Sequence, residues 1–244
     1  MTQSGRSRSY GYRIMTSQND NPVPLGIGRT LALSIYFFGK NFLPIIGLLA
    51  QLLVVVIGLV ILTSLPFDLK PYEVPILTDL VIFIAFAPIS IAVHRAIVLQ
   101  EPIEATKYFS SFLQKRVWQF AGFAVLYAVP VGMGARVEPL VAVPIAAYLF
   151  GFSYVFPAVA VDEFQSLARS RKLMQGSMWR VFWCFLIVNI PFIIILKSVI
   201  PIAVSGAGIA AVFVFGIWFM LLPILMPAIL SVAYKNSTRR VRTD

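Results

Sequence analysis

The sequence predicts an all-α integral membrane protein: six transmembrane helices in three repeats, each an interfacial helix followed by a helical hairpin. Three observations predict it. The composition is too apolar for a water-soluble surface, the basic residues fall almost wholly on one side of the apolar runs, and a proline recurs near the end of every second run.

Of 244 residues, 59% are hydrophobic and 12% charged. Soluble domains carry about 25% charged residues. Half that charge cannot coat a globule of this size, and runs of roughly 20 apolar residues point to a bilayer as solvent. The lone cysteine, Cys184, lies in such a run and excludes an intramolecular disulfide. The net charge of +10 is spread between apolar runs, the pattern of orientation signals and not of a nucleic-acid surface.

Residues 1–24 are polar, basic and poor in long aliphatics, and read as a disordered tail. They have no apolar region after the arginines, so no secretory signal is expected. The first interfacial helix, GRTLALSIYFFGKNF, carries the stripe Leu31, Ile35, Phe38 and Phe42. Span one is Phe42 to Leu65, and span two runs from Ile76 to Val93. The second interfacial helix, EATKYFSSFLQKRVW, places Ala105, Tyr108, Phe109, Phe112 and Leu113 at helical spacing, and Glu101-Pro102 gives it a start. Span three is Val117 to Gly134, and span four is Leu140 to Val161. The third interfacial stretch, FQSLARSRKLMQGSMW, has a weaker stripe of Phe164, Leu167, Ala168 and Met174. Span five is Val181 to Ile200, and span six is Ala207 to Tyr234. The repeats cover about 25–100, 101–160 and 161–235, and a second basic tail, 236–244, closes the chain.

Charge tests this threading. Seventeen of the 20 basic residues fall in the two tails, the interfacial stretches and the links that join even spans to odd ones. Lys70, Arg136 and Lys197 fall on the other side. The positive-inside rule therefore puts both termini in the cytoplasm. The outer connections are short, so no outer domain is expected.

The even spans end FAPISIAVHR, VFPAVAVDE and LMPAILSVAYK. Pro88, Pro157 and Pro227 precede the first charge by seven, five and eight residues. Proline removes a backbone donor and kinks a helix, and in lipid the freed carbonyl needs a protein partner. These prolines are therefore expected to kink their spans and face the bundle. Past Pro157, two continuations are open. Asp162 with Gln165 resembles a capping box that starts a new helix, with Asp162 and Glu163 suited to a helix N-terminus. Alternatively, both acids continue one long kinked helix.

Chemistry is sparse. His94, beside Arg95, is the single histidine, and no nearby acid and serine complete a triad. No metal-ligand, P-loop or nucleophile-elbow pattern occurs, and no cofactor or metal is expected. Asn189 is the strongest polar group within a span, and interhelical hydrogen bonding is the usual role of such a residue. Trp179 and Arg180 suit the interface at the inner end of span five.

AVHRAIVLQE (92–101) and FPAVAVDEFQSLARSRKLMQGSMWRVF (156–182) resemble two signatures of a family of bacterial six-span inner-membrane proteins. The matching positions in the second are Pro157, Ala158, Asp162, Ser170, Gly176, Trp179 and Arg180. That family is related to the membrane domain attached to some glycerophosphodiester phosphodiesterases. The resemblance implies the six-span fold and a bacterial inner-membrane setting. It implies no phosphodiesterase activity, since the catalytic barrel needs about 250 further residues.

The expected role is a non-enzymatic, lipid-associated or accessory scaffold whose basic interfacial helices contact anionic headgroups, with no nucleic-acid partner. The rival readings are a small transporter or flippase-like protein using the kinked bundle, and an intramembrane enzyme built on His94 with Asp162 or Glu163. His94, Arg95, Asp162, Glu163, Trp179, Arg180 and Asn189 are the candidate functional residues.

Overall fold

Asn41 turns the first corner of the chain. Helix α1 (Ile27–Lys40) ends at it and α2 (Phe42–Ser64) begins after it. The Asn41 backbone N–H and side-chain Nδ2 both donate to the Phe37 carbonyl, at 3.1 and 2.9 Å, and its own carbonyl accepts from Ile45 N–H. One residue thus closes α1 and opens α2, and the axes meet at 80°. The computed structural model describes residues 25–64, 73–164, 166–204, 221 and 224–238. Residues 1–24 and 239–244, the predicted outer connection at 65–72 with Lys70, Gln165, and most of predicted span six lie outside the described residues.

The observed α2 matches predicted span one within a residue, and α3 (Glu73–Val98) contains predicted span two. Pro88 stands inside α3 and is buried, as expected. It lacks the N–H that would hold the Ile84 carbonyl, and its ring disturbs that turn. The Tyr108 hydroxyl donates to the next carbonyl, Ala85, at 2.8 Å.

The second interfacial helix does not form as the spacing predicts. Residues 101–104 are not helical, so Pro102 opens no helix. A single 3₁₀ turn (Ala105–Lys107) leads into a one-turn α4 (Tyr108–Ser111). Two local causes are visible. The Ser110 and Ser111 hydroxyls bond back to the Lys107 and Tyr108 carbonyls, offering the backbone an alternative to a regular helix. Tyr108 also drops into the core, while Leu113, on the same predicted stripe, is 90% exposed.

Helices α5 (Lys115–Val137) and α6 (Pro139–Phe150) form a hairpin around an extended Glu138 and pack along each other. Predicted span four is not one kinked helix. A turn over 151–154 separates α6 from a short α7 (Val155–Ala160). Pro157 therefore sits in the first turn of α7, where no intrahelical partner is needed. It starts a helix and does not bend one.

Helix α8 (Leu167–Gln175) and α9 (Met178–Val204) meet at 83° across Gly176-Ser177, repeating the corner at Asn41. Ser166 caps α8, its hydroxyl accepting from Arg169 N–H at 3.1 Å. The capping residue is thus Ser166, not Asp162. The last helix, α10 (224–238), carries Pro227 partly buried.

The described residues are mostly helical, with no strand among them. Helix α3 lies centrally, against α2, α5 and α7. Three apolar clusters form the core, around α2 with α3, around α7 with α9 and α10, and around α3 with α5 and α7. Among the described residues no single helix is long and apolar enough to cross a membrane. By length and composition, the bent pairs α1 with α2 and α8 with α9 are.

The inward face of α1 is mixed, with Phe37 buried at 7% and Leu31, Leu33 and Phe38 packed against the core beside two hydroxyl residues. Thr30 and Ser34 are buried at 3% and 1%, their hydroxyls bonded to the Gly26 and Thr30 carbonyls. Ile35, on the predicted apolar stripe, is 61% exposed, and Tyr36 beside it 52%.

Candidate functional site

Arg95 gathers the ends of two helices. It lies in the last turn of α3, near the carbonyl end where a cation is favoured. Its Nε and Nη2 fork onto the two oxygens of Glu101, both at 2.6 Å. Its Nη1 donates to the Ala160 carbonyl at 3.0 Å and to Asp162 Oδ2 at 3.1 Å. Bidentate pairing of this kind needs the planar guanidinium.

The partners are in place because both helices end the same way. Gln100, after α3, and Asp162, after α7, are the two non-glycine residues with positive φ among those described, at 62° and 60°. After α7 the reversal is a Schellman motif. Glu163 N–H bonds the Ala158 carbonyl at 2.8 Å, and Asp162 N–H bonds the Val159 carbonyl at 3.2 Å. That position favours glycine; an L-residue there costs about 1 kcal/mol, less for Asp, which tolerates the left-handed region. Asp162 is retained with its carboxylate on two arginines, for Arg116 Nη1 reaches the same Oδ2 at 2.8 Å. Neither predicted continuation past Pro157 is observed: Asp162 ends a helix, neither opening nor continuing one.

Hydrogen bonds from Arg95 hold the Glu101 carboxyl below its usual range, and Glu101 in turn raises the Arg95 guanidinium. Glu101 and Asp162 are substantially exposed, so this is an organised surface network and not a buried ion cage.

His94, one residue beyond predicted span two, points the other way, into the protein. It is 1% exposed, and burial pushes its pKa down to about 3. Its Nδ1 lies 2.5 Å from Ser231 Oγ, and the ring packs on Phe120. Ser231 Oγ donates to the Pro227 carbonyl at 2.7 Å. A hydroxyl has one hydrogen, so Ser231 accepts from His94 Nδ1–H. A serine nucleophile needs the opposite polarity, giving its proton to the imidazole.

Glu163 does not join the arginine cluster; it accepts from the Tyr234 hydroxyl at 3.3 Å. Lys235 Nζ donates to the Ile97 carbonyl at 2.7 Å, closing the end of α3 from α10. Asn189 donates to the Phe185 carbonyl of its own helix at 2.8 Å, and its Nδ2 lies 3.6 Å from Met226 Sδ. Trp179 is 72% exposed, and Arg180 beside it is half-buried.

The structure brings Arg95 and Asp162 together, with Glu101, which the sequence offered as a helix start, and Arg116, which it did not single out, as partners. It leaves His94, Glu163, Asn189 and Trp179 in separate surroundings. Gln51 was also missed. Its Nε2 bonds the Gly47 carbonyl at 3.1 Å and the Ala105 carbonyl at 2.5 Å, pinning the 3₁₀ turn onto α2. A strongly polar residue in an otherwise apolar run was the available signal. Among the described residues no cluster of three or more His, Cys, Asp or Glu side chains could hold a metal.

No family model matches the chain, and no curated protein and no solved structure is significantly similar to it.

Proposed function

We propose that the chain is a six-span integral protein of a bacterial inner membrane, with both termini cytoplasmic. In this reading it is a non-enzymatic, lipid-associated or accessory scaffold. The observation that carries it is the outward apolar surface. Leu43, Leu53, Val54 and Ile57 on α2, Leu126 on α5, Leu140 and Val143 on α6, and Ile187, Ile190 and Ile194 on α9 are all exposed. Large apolar side chains exposed in this number are costly in water and expected against acyl chains. Ile35 and Tyr36, exposed on α1, support the same solvent.

Two right-angle corners, at Asn41 and at Gly176-Ser177, support a repeated unit of interfacial helix plus span. In this reading α1 and α8 lie in the interface, and Arg29 and Lys172, exposed on them, meet anionic headgroups. The resemblance to the six-span family belongs to the same proposal.

The ties around Arg95 and Lys235 join helix ends to one another, which suits a static scaffold. The His94–Ser231 polarity supports a structural histidine over a catalytic one. Asn189, spending its amide on its own helix and on Met226, supports a packing role over substrate contact.

Topology reporters test the reading. A fluorescent protein fused after Asp244 is expected to mature inside the cell. A periplasm-dependent phosphatase inserted beside Glu138 is expected to be active. Phosphatase activity from a fusion after Asp244, with the amino end inside, would overturn the even span count and the threefold scheme.

A further inference from the structure

Arg180 is a cation that the network of Arg95 and Arg116 does not employ. It is half-buried in the first turn of α9 and has no carboxylate partner among the described residues. The neighbouring acids are engaged elsewhere: Glu101 and Asp162 with Arg95 and Arg116, Glu104 with Lys107, and Glu163 with Tyr234.

Arg180 lines a shallow groove bordered by α1, α9 and α10, whose polar lining is completed by Thr30, Ser177, Asn236 and Ser237. The wall is already ordered. Tyr154 Oη bridges the two serines, 2.5 Å from Ser177 Oγ and 3.2 Å from Ser237 Oγ. The Thr30 and Ser237 hydroxyls already donate to the Gly26 and Ala233 carbonyls, so the donors left to the groove are the Arg180 guanidinium and the Asn236 amide, a pair complementary to a phosphate.

Beyond the groove, Trp179, Trp183, Ile187, Ile190 and Ile194 recur at spacings of three and four along α9, and all are exposed. They form one apolar track about 22 Å long. That is the shape of an acyl chain continuing from a headgroup.

We propose that this groove binds the phosphate of an anionic phospholipid, with one chain laid along the α9 track. The inference rests on the membrane reading given above and adds a stoichiometric site to it.

Native mass spectrometry of the full chain in mild detergent tests it, with phosphatidylglycerol and phosphatidylcholine of equal chain length supplied together. The wild type should retain one phosphatidylglycerol in preference. Arg180→Gln, which keeps the stem and a polar tip, should lose that retention about tenfold. Arg180→Lys should keep most of it. Arg171→Gln should keep it fully, because the Arg171 guanidinium is stacked over Tyr148 and Phe152. Circular dichroism checks that each variant is folded.

Unchanged retention in Arg180→Gln, or equal retention of the two lipids, would overturn the site. Displacement of the lipid by millimolar inorganic phosphate would overturn the assignment of a lipid as occupant. Alkaline extraction separates this from the underlying reading. A chain released with soluble proteins sinks the membrane proposal, whereas a chain that stays with the membrane and ignores Arg180→Gln sinks the site alone.

Discussion

Arg95 and Asp162 stand sixty-seven residues apart in the chain and meet in an ion pair of 3.1 Å. The same arginine nitrogen holds the Ala160 carbonyl, the last of α7. One side chain therefore ends its own helix's chain reversal through Glu101 and caps the helix of another hairpin.

Asp162 separates conformational cost from ionic gain. Asp162→Gly removes both arginine contacts but relieves the left-handed backbone, and should change stability by no more than about 0.5 kcal/mol. Asp162→Ala loses the contacts and keeps the strain, and should cost about 1–2 kcal/mol. Thermal unfolding of the purified chain checks the order. Equal losses for Gly and Ala would assign the stability to the ion pairs.

Glu101 gives an acid limb. Its folded pKa is lowered from 4.5, so its contribution is complete above that value and is lost as pH falls through the lowered one. Melting temperature measured between pH 6 and 3 should fall less steeply in Glu101→Gln than in the wild type. Parallel curves would contradict the fork seen between Arg95 and Glu101.

For His94, burial favours the neutral ring. The unfolded chain then binds a proton that the folded one excludes, so stability drains as pH falls from 6.5 towards 3. Diethyl pyrocarbonate at pH 6.5 should leave the folded protein unmodified at His94 and modify it after denaturation, as peptide mapping reads. Rapid native modification would place the ring at the surface. His94→Ala should lower stability, through the space left and the lost Ser231 contact, by about 2–4 kcal/mol.

Gly47 marks where the 3₁₀ turn rests on α2. A Cβ at this position would stand 2.7 Å from Ala105 Cβ. Gly47→Ala gains helix propensity but pushes the turn away and strains the Gln51 bridge, for a net loss of about 1–3 kcal/mol. A melting temperature at or above wild type would show that the turn yields freely.

The long apolar helices were legible in the sequence because periodicity and charge placement act over many residues. Observed α2 and predicted span one differ by a single terminal residue. The failures fall where short-range chemistry competes with pattern. At 105–113 the spacing was helical, but serine hydroxyls and the burial of Tyr108 broke the regular backbone. At 151–157 the apolar run was continuous, yet Gly151 and a first-turn proline divided it.

Asp162 was read as a helix start, and the structure makes it a helix end. Its left-handed backbone is a property of the folded reversal, and the sequence offered a helix start instead. Glu101 was read as a helix start, and Arg116 escaped notice because charged residues at the end of an apolar run ordinarily read as solvated boundary. Their convergence depends on how α5 and α7 pack against α3, which no local window contains.

Arg95 also imposes an order of events on synthesis. Its pairing with Glu101 spans six residues and can form as soon as that stretch leaves the ribosome. Its bonds to Ala160 and Asp162 must wait until the second hairpin has been made, and closing that longer loop carries a larger entropic penalty. The local fork thus acts as a placeholder, keeping the guanidinium oriented until its distant partners arrive.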